Sequence, residues 1–600
     1  MNPRITSIEN SIAYDPGGRN IFGLLIADQL QLAAQSLRLA RRVGIVSGFY
    51  IPDASVSETD GPPGAKIIGD ALAKLGVQVD YITDRWNAAA FRALDLVTLV
   101  EPADYLTQAR PTHLVSVERL GRGLDDRYHN MHGVDVTETT APLDAIFLDA
   151  GHRGITTIGI GDGGNEIGMG KVFQEALASI KHGPTIATTV ATDFCIVAGV
   201  SNWGAYGLVG ALSVLTERDL LPTAADAARD IERLVESGAA VDGVTRRREA
   251  TVDGIELAAS LRMLENVRDQ IAPSPLSRDR PILVGVLGYG ETGRAAVSLL
   301  SQRGHRVCIS EQASVTINRG SVLAGVETGG HTIEFLRGCD LVVASPGVRS
   351  DSPIRDQLHR RGIPVVSELE MAYQLCDRPL IAVTGTVGKR STVELMTRLF
   401  QHAGRSLSIG GNKGKPLSEL LMENKGEGPL VLAVSSFQLE TVVHFRPDVA
   451  IILNIDDAHL DRHQTVSEYI RIKSRIFMNQ SRGSAEGARS DRSDRGDVLI
   501  LPFDDPRLRV LARKHRGRTL YMSTRQEVDR GAWLVDGQLE FNVDGSRERI
   551  SLTPCETGAT PLIRFPENLL ASALTARLYG LSPQQIENAI RALTREGVEM

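Results

Sequence analysis

Between Gly159 and Val172 the chain reads GIGDGGNEIGMGKV, with six glycines in the first twelve residues and Asp162, Asn165 and Glu166 projecting among them. Glycine density beyond what one turn needs lets a backbone approach a ligand closely. Similar polar groups lie upstream. VERLGRG (Val117–Gly123) sets Glu118 and Arg119 just after an apolar run, where open α/β sheets place ligands. ETDGPPGA carries Glu58, Thr59 and Asp60, and YHNMHGVD carries Asn130 with His129 and His132. The two histidines read as surface or packing residues. Clustered Asp and Glu without Cys suit a hard divalent ion such as Mn²⁺ or Mg²⁺. A second chemistry is written at TGTVGKRST (Thr384–Thr392), where strand, Gly-rich turn, Lys and helix follow one another as in a phosphate-binding loop. Gly385, Thr386, Gly388 and Lys389 would face phosphate. The residue after the Lys, where a hydroxyl normally ligates Mg²⁺, is Arg390.

These loops need a layered frame. Apolar runs at Val43–Val46, Val79–Ile82, Leu114–Val117 and Thr156–Ile160 alternate with helical patterns at Ile21–Arg41, Ala65–Leu75 and Ala224–Ser237, predicting an α/β fold with a mostly parallel sheet. At 600 residues several domains are expected. A Pro-, Ser- and charge-rich stretch over 266–280 is the linker candidate, with one domain at 1–265 and a new α/β series from 281. Ser481–Asp497, with four Arg and four acidic residues, reads as a solvated insertion. Ser582, Pro583 and Gln585 predict a helix start. A net charge of −7 offers no reason for a nucleic-acid partner. Five scattered Cys, no apolar run of membrane-span length and no signal-like N-terminus predict a cytoplasmic protein.

ETDGPPGA, VERLGR, YHNMHGVD, GIGDGGNEIGMGK and VSNWGAYGL together resemble the D-glutamate cyclase family over about residues 15–265. The resemblance implies conversion of D-glutamate to 5-oxo-D-proline and water. It makes Glu118, Asp162 and Glu166 candidates for base, acid or metal ligation, with Asn165 beside them. Arg119 would hold a substrate carboxylate, and Asp60 and Asn130 would contact substrate.

From about 281 onward, GYGETG, DLVVASPGV, TGTVGKRST, GGNKGKPL, SSFQLE and NIDDAHLDRH resemble the Mur ligases, most closely the branch joining D-glutamate to UDP-N-acetylmuramoyl-L-alanine. That implies a Rossmann-like domain (281–375) and a P-loop central domain (376–600) using ATP and Mg²⁺. Glu291 and Thr292 would lie near the uridine diphosphate. Lys389 and Asn568 would serve ATP; Asn412, Ser435 and Gln438 the muramoyl side. His459 would be a metal ligand, and Lys473 matches the family's carbamylated lysine. Departures fall on the energy-transducing part: Arg390, Val387, Ala433 (a metal-binding Glu in the family), Ala458 and Glu567. The chain stops where the family's third domain is expected. The reading is a D-glutamate-metabolising enzyme fused to a degenerate Mur-like module that binds nucleotide or a UDP-muramoyl ligand. The alternative is an ATP-dependent ligase with an accessory glutamate-processing domain.

Overall fold

The computed structural model describes residues 2–102, 104–277, 280–314, 323–349, 352–412, 414–423, 428–481, 496–552 and 565–596. The chain is α/β throughout and divides into two compact units, Met1–Pro273 and Ser274–Met600.

In the first unit, helices α1 (Pro3–Ile12) and α2 (Gln29–Leu37) precede a six-stranded sheet. Its strands are β1 (Arg42–Ser47), β2 (Gln78–Thr83), β3 (Thr98–Val100), β4 (His113–Val117), β5 (Thr156–Gly161) and β6 (Phe194–Val197). All pairings are parallel, in the order β3-β2-β1-β4-β5-β6, with Ile45 opposite both Tyr81 and Val115. The order reverses between β1 and β4, and such a switch point opens a crevice at the carboxyl ends of the strands. Near-continuous apolar runs suit strands covered on both faces.

Helix α3 (Pro62–Lys74) and the sixteen-residue α4 (Ser201–Thr216) lie against this sheet, followed by α5 (Ala224–Glu236) and α6 (Leu257–Asp269). Fourteen of the α4 residues are buried. Its burial depends on close approach: a Cβ on Gly204 would come 2.4 Å from Ile160 Cγ2, and one on Gly207 2.6 Å from Ile12 Cδ1. That approach aims the first turn of α4 at the crevice.

Two expected elements differ in extent. The helix read over Ile21–Arg41 is a 3₁₀ turn (Ile21–Leu24) and α2, separated where Asp28 takes φ +72°. Helix α6 runs into the Pro/Ser-rich stretch, its Val267 fully buried, so the first unit extends past residue 265.

In the second unit, β7 (Leu283–Leu287) leads into α7 (Glu291–Gln302), then β8 (Arg306–Glu311), β9 (Leu323–Thr328), β10 (Leu341–Ala344) and β11 (Val365–Ser367). They form a parallel sheet ordered β9-β8-β7-β10-β11. A nine-stranded sheet follows, whose third strand in spatial order is β12 (Leu380–Thr384), which feeds α8 (Lys389–His402). Strands β14 (Leu430–Ala433) and β15 (Val449–Ile452) flank β12, and β13 (Ser408–Gly411) lies on the far side of β14, all parallel. Helix α9 (Val466–Ser474), α10 (Pro566–Leu578) and α11 (Pro583–Arg595) complete the parts used below, α11 opening on the expected Ser582–Gln585 capping box. Most of the expected insertion, residues 482–495, lies outside the described residues, as does Cys555. Among the described residues no helix is long and apolar enough to cross a membrane.

Candidate functional site

Strands β1, β4 and β5 end side by side, and the residues just beyond them form an acidic bowl. Glu118 follows β4 with φ +46°, a left-handed conformation that is strained for a side chain larger than glycine. Only a glycine at position 61 fits opposite it, since a Cβ there would sit 2.8 Å from both Glu118 Cβ and Ser47 Oγ. The strained residue is held by Ser201, at the start of α4, whose hydroxyl donates to Glu118 Oε2 at 2.6 Å.

After β5 the glycine-rich loop wraps around its own acid. Glu166 Oε1 accepts from Gly163 N (2.7 Å) and Asp162 N (3.3 Å), and Oε2 from Gly164 N (2.9 Å). Asn165 donates through Nδ2 to His129 O at 2.9 Å, while its buried Oδ1 has no hydrogen-bond partner. Asp60 accepts from Ser201 N and Asn202 N, both at 2.8 Å, tying the acid to the α4 N-terminus.

Three more charged groups complete the bowl. Glu58 sits on a short strand (Val56–Glu58) paired with Ala240–Val241. Asp253 stands at the turn between Thr251–Val252 and Ile255–Glu256. Arg19 reaches in from the turn after α1, with Nη1 2.5 Å from Asp162 Oδ1 and Nη2 2.9 Å from Asp253 Oδ2. Two triads of carboxylates, Asp60/Asp162/Asp253 and Glu118/Asp162/Glu166, each place ligand-competent oxygens within 4.8 Å of one another and share Asp162.

Six buried or half-buried carboxyl groups therefore face one guanidinium. Burial, with Asp162 and Glu166 nearby, pushes the Glu118 carboxyl well above the usual range. Burial, with Asp253 and Asp60, does the same to Glu58. Asp60 is raised to about 8 by burial and by Asp253, against the opposing backbone N–H bonds from Asn202 and Ser201. Glu58 Oε1 and Asp162 Oδ2 are buried without a hydrogen-bond partner. Unpaired buried acids of this kind require protons or a cation. Hard oxygen donors in excess fit a divalent ion.

Two expected contacts are corrected. Arg119 is 1% exposed and points away from the bowl. Its Nη1 bonds Asp84 Oδ2 (2.6 Å) and Gly48 O (2.9 Å), and its Nη2 bonds Ala141 O (2.7 Å). Arg119→Ala is expected to destabilise the first unit by about 3–5 kcal/mol, because Asp84 is left as an uncompensated buried charge. Urea unfolding measures this, and Glu118→Gln should not show it. Asn130 closes its own loop, accepting from His132 N and Val134 N. His132 is exposed, and His129 Nε2 lies 3.4 Å from Asp125.

The loop after β12 forms a second candidate site. Lys389 Nζ donates to Gly385 O (2.7 Å) and Thr386 O (2.9 Å). Lys473, on α9 and 1% exposed, donates to Gly385 O at 2.9 Å and Thr384 Oγ1 at 3.4 Å. Two ammonium groups thus share one carbonyl. Burial, reinforced by the charge of Lys389, lowers Lys473 to about 7. Asn568 Oδ1, on α10, accepts from Thr392 Oγ1 at 3.0 Å and packs where a Cβ at Gly388 would intrude. Arg390 points outward, 73% exposed and paired with Glu394.

The remaining expected residues lie on other elements of the second unit. Ser435 and Gln438 form a capping box for Ser436–Leu439. Asn412 is exposed, its N–H bonding Ala433 O. Glu291 and Thr292 open α7 behind Gly290. His459 packs edge-on to Phe437 with centroids 5.1 Å apart. Among the described residues both carboxylate triads lie in the first unit, and none joins His459.

Comparison with known proteins divides the chain at the same place. The family described as D-glutamate cyclase-like, C-terminal, matches residues 8–268. The Mur ligase MurD-like N-terminal domain matches 283–367, and the Mur ligase middle domain 383–562. A UDP-N-acetylmuramoylalanine–D-glutamate ligase of Acidobacterium capsulatum is 33% identical over 312 residues, 51% of this chain and 65% of that protein. The enzyme of the same name from Pelotomaculum thermopropionicum is 35% identical over 313 residues, with the same coverage. That of Alkaliphilus oremlandii is 33% identical over 325 residues, 52% of this chain and 67% of that protein. The chain thus spans about two thirds of the length of the curated relatives it matches. It joins a region matching the D-glutamate cyclase-like family to the N-terminal and middle domains of a Mur ligase, and belongs to the Mur ligase family.

Proposed function

We propose that the first unit converts D-glutamate to 5-oxo-D-proline and water at the acidic bowl. The observation that carries this reading is the convergence of Glu118, Asp162 and Glu166 at the sheet's switch point, within the region matched by the cyclase-like family. The α-amine must lose a proton before its nitrogen bonds the γ-carboxyl carbon. One γ-carboxylate oxygen then leaves as water, taking up two protons, while the nitrogen gives up a second proton as the amide forms. Burial raises both the Glu118 and the Asp162 carboxyl well above the usual range, in Asp162 against the charge of Arg19, which suits donor and acceptor roles. Glu166, locked by three backbone N–H groups, is oriented rather than free to swing.

D-Glutamate carries two carboxylates, and a bowl of six acids repels them unless a cation intervenes. Mn²⁺ or Mg²⁺ on the Asp162-sharing triads would supply that charge and polarise the γ-carboxyl. The test incubates the protein with D- and L-glutamate, with and without each ion, and identifies products by mass and chirality. Unchanged D-glutamate under every condition sinks the reading.

The same acids set a pH expectation. Asp60 lies near 8 in the fold, above its unfolded value. Its contribution is therefore complete below the ordinary carboxylate range and is lost as pH rises through about 8. Without metal, the melting temperature of the first unit should fall between about pH 4 and pH 8, and added Mn²⁺ should reverse the fall. A melting temperature that rises over this range contradicts it.

For the second unit, we infer binding of nucleotide phosphates at Gly385–Lys389, favoured by the two lysines crowded on one carbonyl. The names of the curated relatives extend this to a ligase reading, in which D-glutamate is joined to UDP-N-acetylmuramoyl-L-alanine at the expense of ATP, with Mg²⁺ as cofactor. Ala433 and Arg390, in place of a carboxylate and a hydroxyl, weigh toward binding without efficient turnover. ATP hydrolysis stimulated by UDP-N-acetylmuramoyl-L-alanine separates the two.

A further inference from the structure

Arg19 occupies an unusual position among the charges of the bowl. Its guanidinium bridges Asp162 and Asp253, two members of one carboxylate triad, and Asp162 belongs to the other triad as well. At 16% its side chain is more exposed than those of its partners, at 3% and 9%, so the stem reaches solvent while the guanidinium lies buried among the acids. The backbone beneath it is fixed independently. Asp15 Oδ1 accepts from Arg19 N (3.0 Å) and Oδ2 from Asn20 N (2.7 Å), while Gly18 turns the chain at φ +64°. The side chain can leave without unmaking the turn.

The guanidinium also satisfies the bowl poorly. Asp162 Oδ2 and Glu58 Oε1 stay buried without a hydrogen-bond partner although Arg19 is in place. A planar group that reaches two carboxylates cannot serve oxygens arranged around a common centre, whereas a divalent ion takes six or more.

We propose that Arg19 is a displaceable counter-ion: it holds the carboxylates together when no ligand cation is bound, and a divalent cation entering the Asp162-sharing triads must expel it toward solvent. The inference rests on the cation-binding reading of the bowl. It adds that affinity is set by competition with an internal guanidinium. Removing Arg19 should therefore tighten metal binding, the opposite of what loss of a metal-organising residue does.

The experiment titrates the full chain with Mn²⁺ alone, following the electron paramagnetic resonance signal of the free ion. Arg19→Met should bind Mn²⁺ at least about tenfold more tightly than the unaltered protein, and Arg19→Gln should follow it. The melting temperature should rise more on adding Mn²⁺ in both variants. Should Arg19→Met fold only with Mn²⁺ present, that rescue reports the same competition. Equal or weaker Mn²⁺ binding in both variants overturns the proposal. So does absence of Mn²⁺ binding in all three proteins, or a misfolding that Mn²⁺ does not repair. No D-glutamate is present, so absence of turnover with the competition intact defeats only the cyclase reading.

Discussion

Glu118→Gln is expected to lower turnover of D-glutamate by about 10²–10⁴-fold, the range for losing one general acid or base. Melting in the metal-free protein should be unchanged or higher. The two expectations come from the same geometry. Gln keeps the shape of the side chain and can still accept from the Ser201 hydroxyl that holds Glu118 at 2.6 Å. What disappears is an acid whose carboxyl burial and two neighbouring carboxylates raise well above the usual range. At alkaline pH, where the bowl's negative charge is greatest, Gln removes a source of repulsion and the stability gain should be largest. Catalytic sites assembled from mutually repelling groups commonly show this exchange of stability for function. A variant that is inactive and also strongly destabilised would place Glu118 in the structural frame. One that retains full turnover would remove it from the chemistry. Turnover and melting curves measured with and without Mn²⁺ separate these cases.

Much of the frame around Glu118 is legible in the sequence. The runs Val43–Val46, Leu114–Val117 and Thr156–Ile160 form β1, β4 and β5, because their length and apolar content suit strands buried on both faces. The loop Gly159–Gly170 advertises itself through glycine, since only a chain with little Cβ can fold back on Glu166 so tightly; a Cβ at Gly161 would meet Glu166 Oε2 at 2.7 Å. Arg19 and Asp253 carry no such mark. Asp15-Pro-Gly-Gly-Arg-Asn and Val252-Asp-Gly-Ile read as ordinary turns, and turn residues they are. Their roles arise from tertiary placement, with Arg19 meeting acids far along the chain. Ser201 was visible only as part of VSNWGAYGL, with nothing local to single out its hydroxyl. Arg119 shows the converse: expected to hold a substrate carboxylate, it pairs instead with the buried Asp84, a partner that sequence adjacency to Glu118 does not reveal.

Lys389→Ala is the corresponding test of the second unit, and its largest effect should be on Mg·ATP. A charge-assisted hydrogen bond contributes about 1.5–3 kcal/mol, so loss of this ammonium should weaken ATP about 10- to 100-fold. The neighbouring lysine supplies an internal control. Lys473 is lowered to about 7 by burial first and by Lys389 second. A lysine whose folded pKa lies below its unfolded value penalises the fold wherever the unfolded chain would hold the proton. Stability should therefore rise with pH between about 7 and 10.5, with the full penalty below about 7. Removing Lys389 relieves part of that penalty, so Lys389→Ala should flatten the rise while weakening ATP. Arg390→Ala should do neither, since its side chain lies outward against Glu394. If Arg390→Ala weakens ATP as much as Lys389→Ala, the guanidinium has entered the loop in place of a metal-binding hydroxyl. The outward ion pair would then belong only to the nucleotide-free state. If neither variant changes ATP binding, the loop after β12 has kept the form of a phosphate site and not its use.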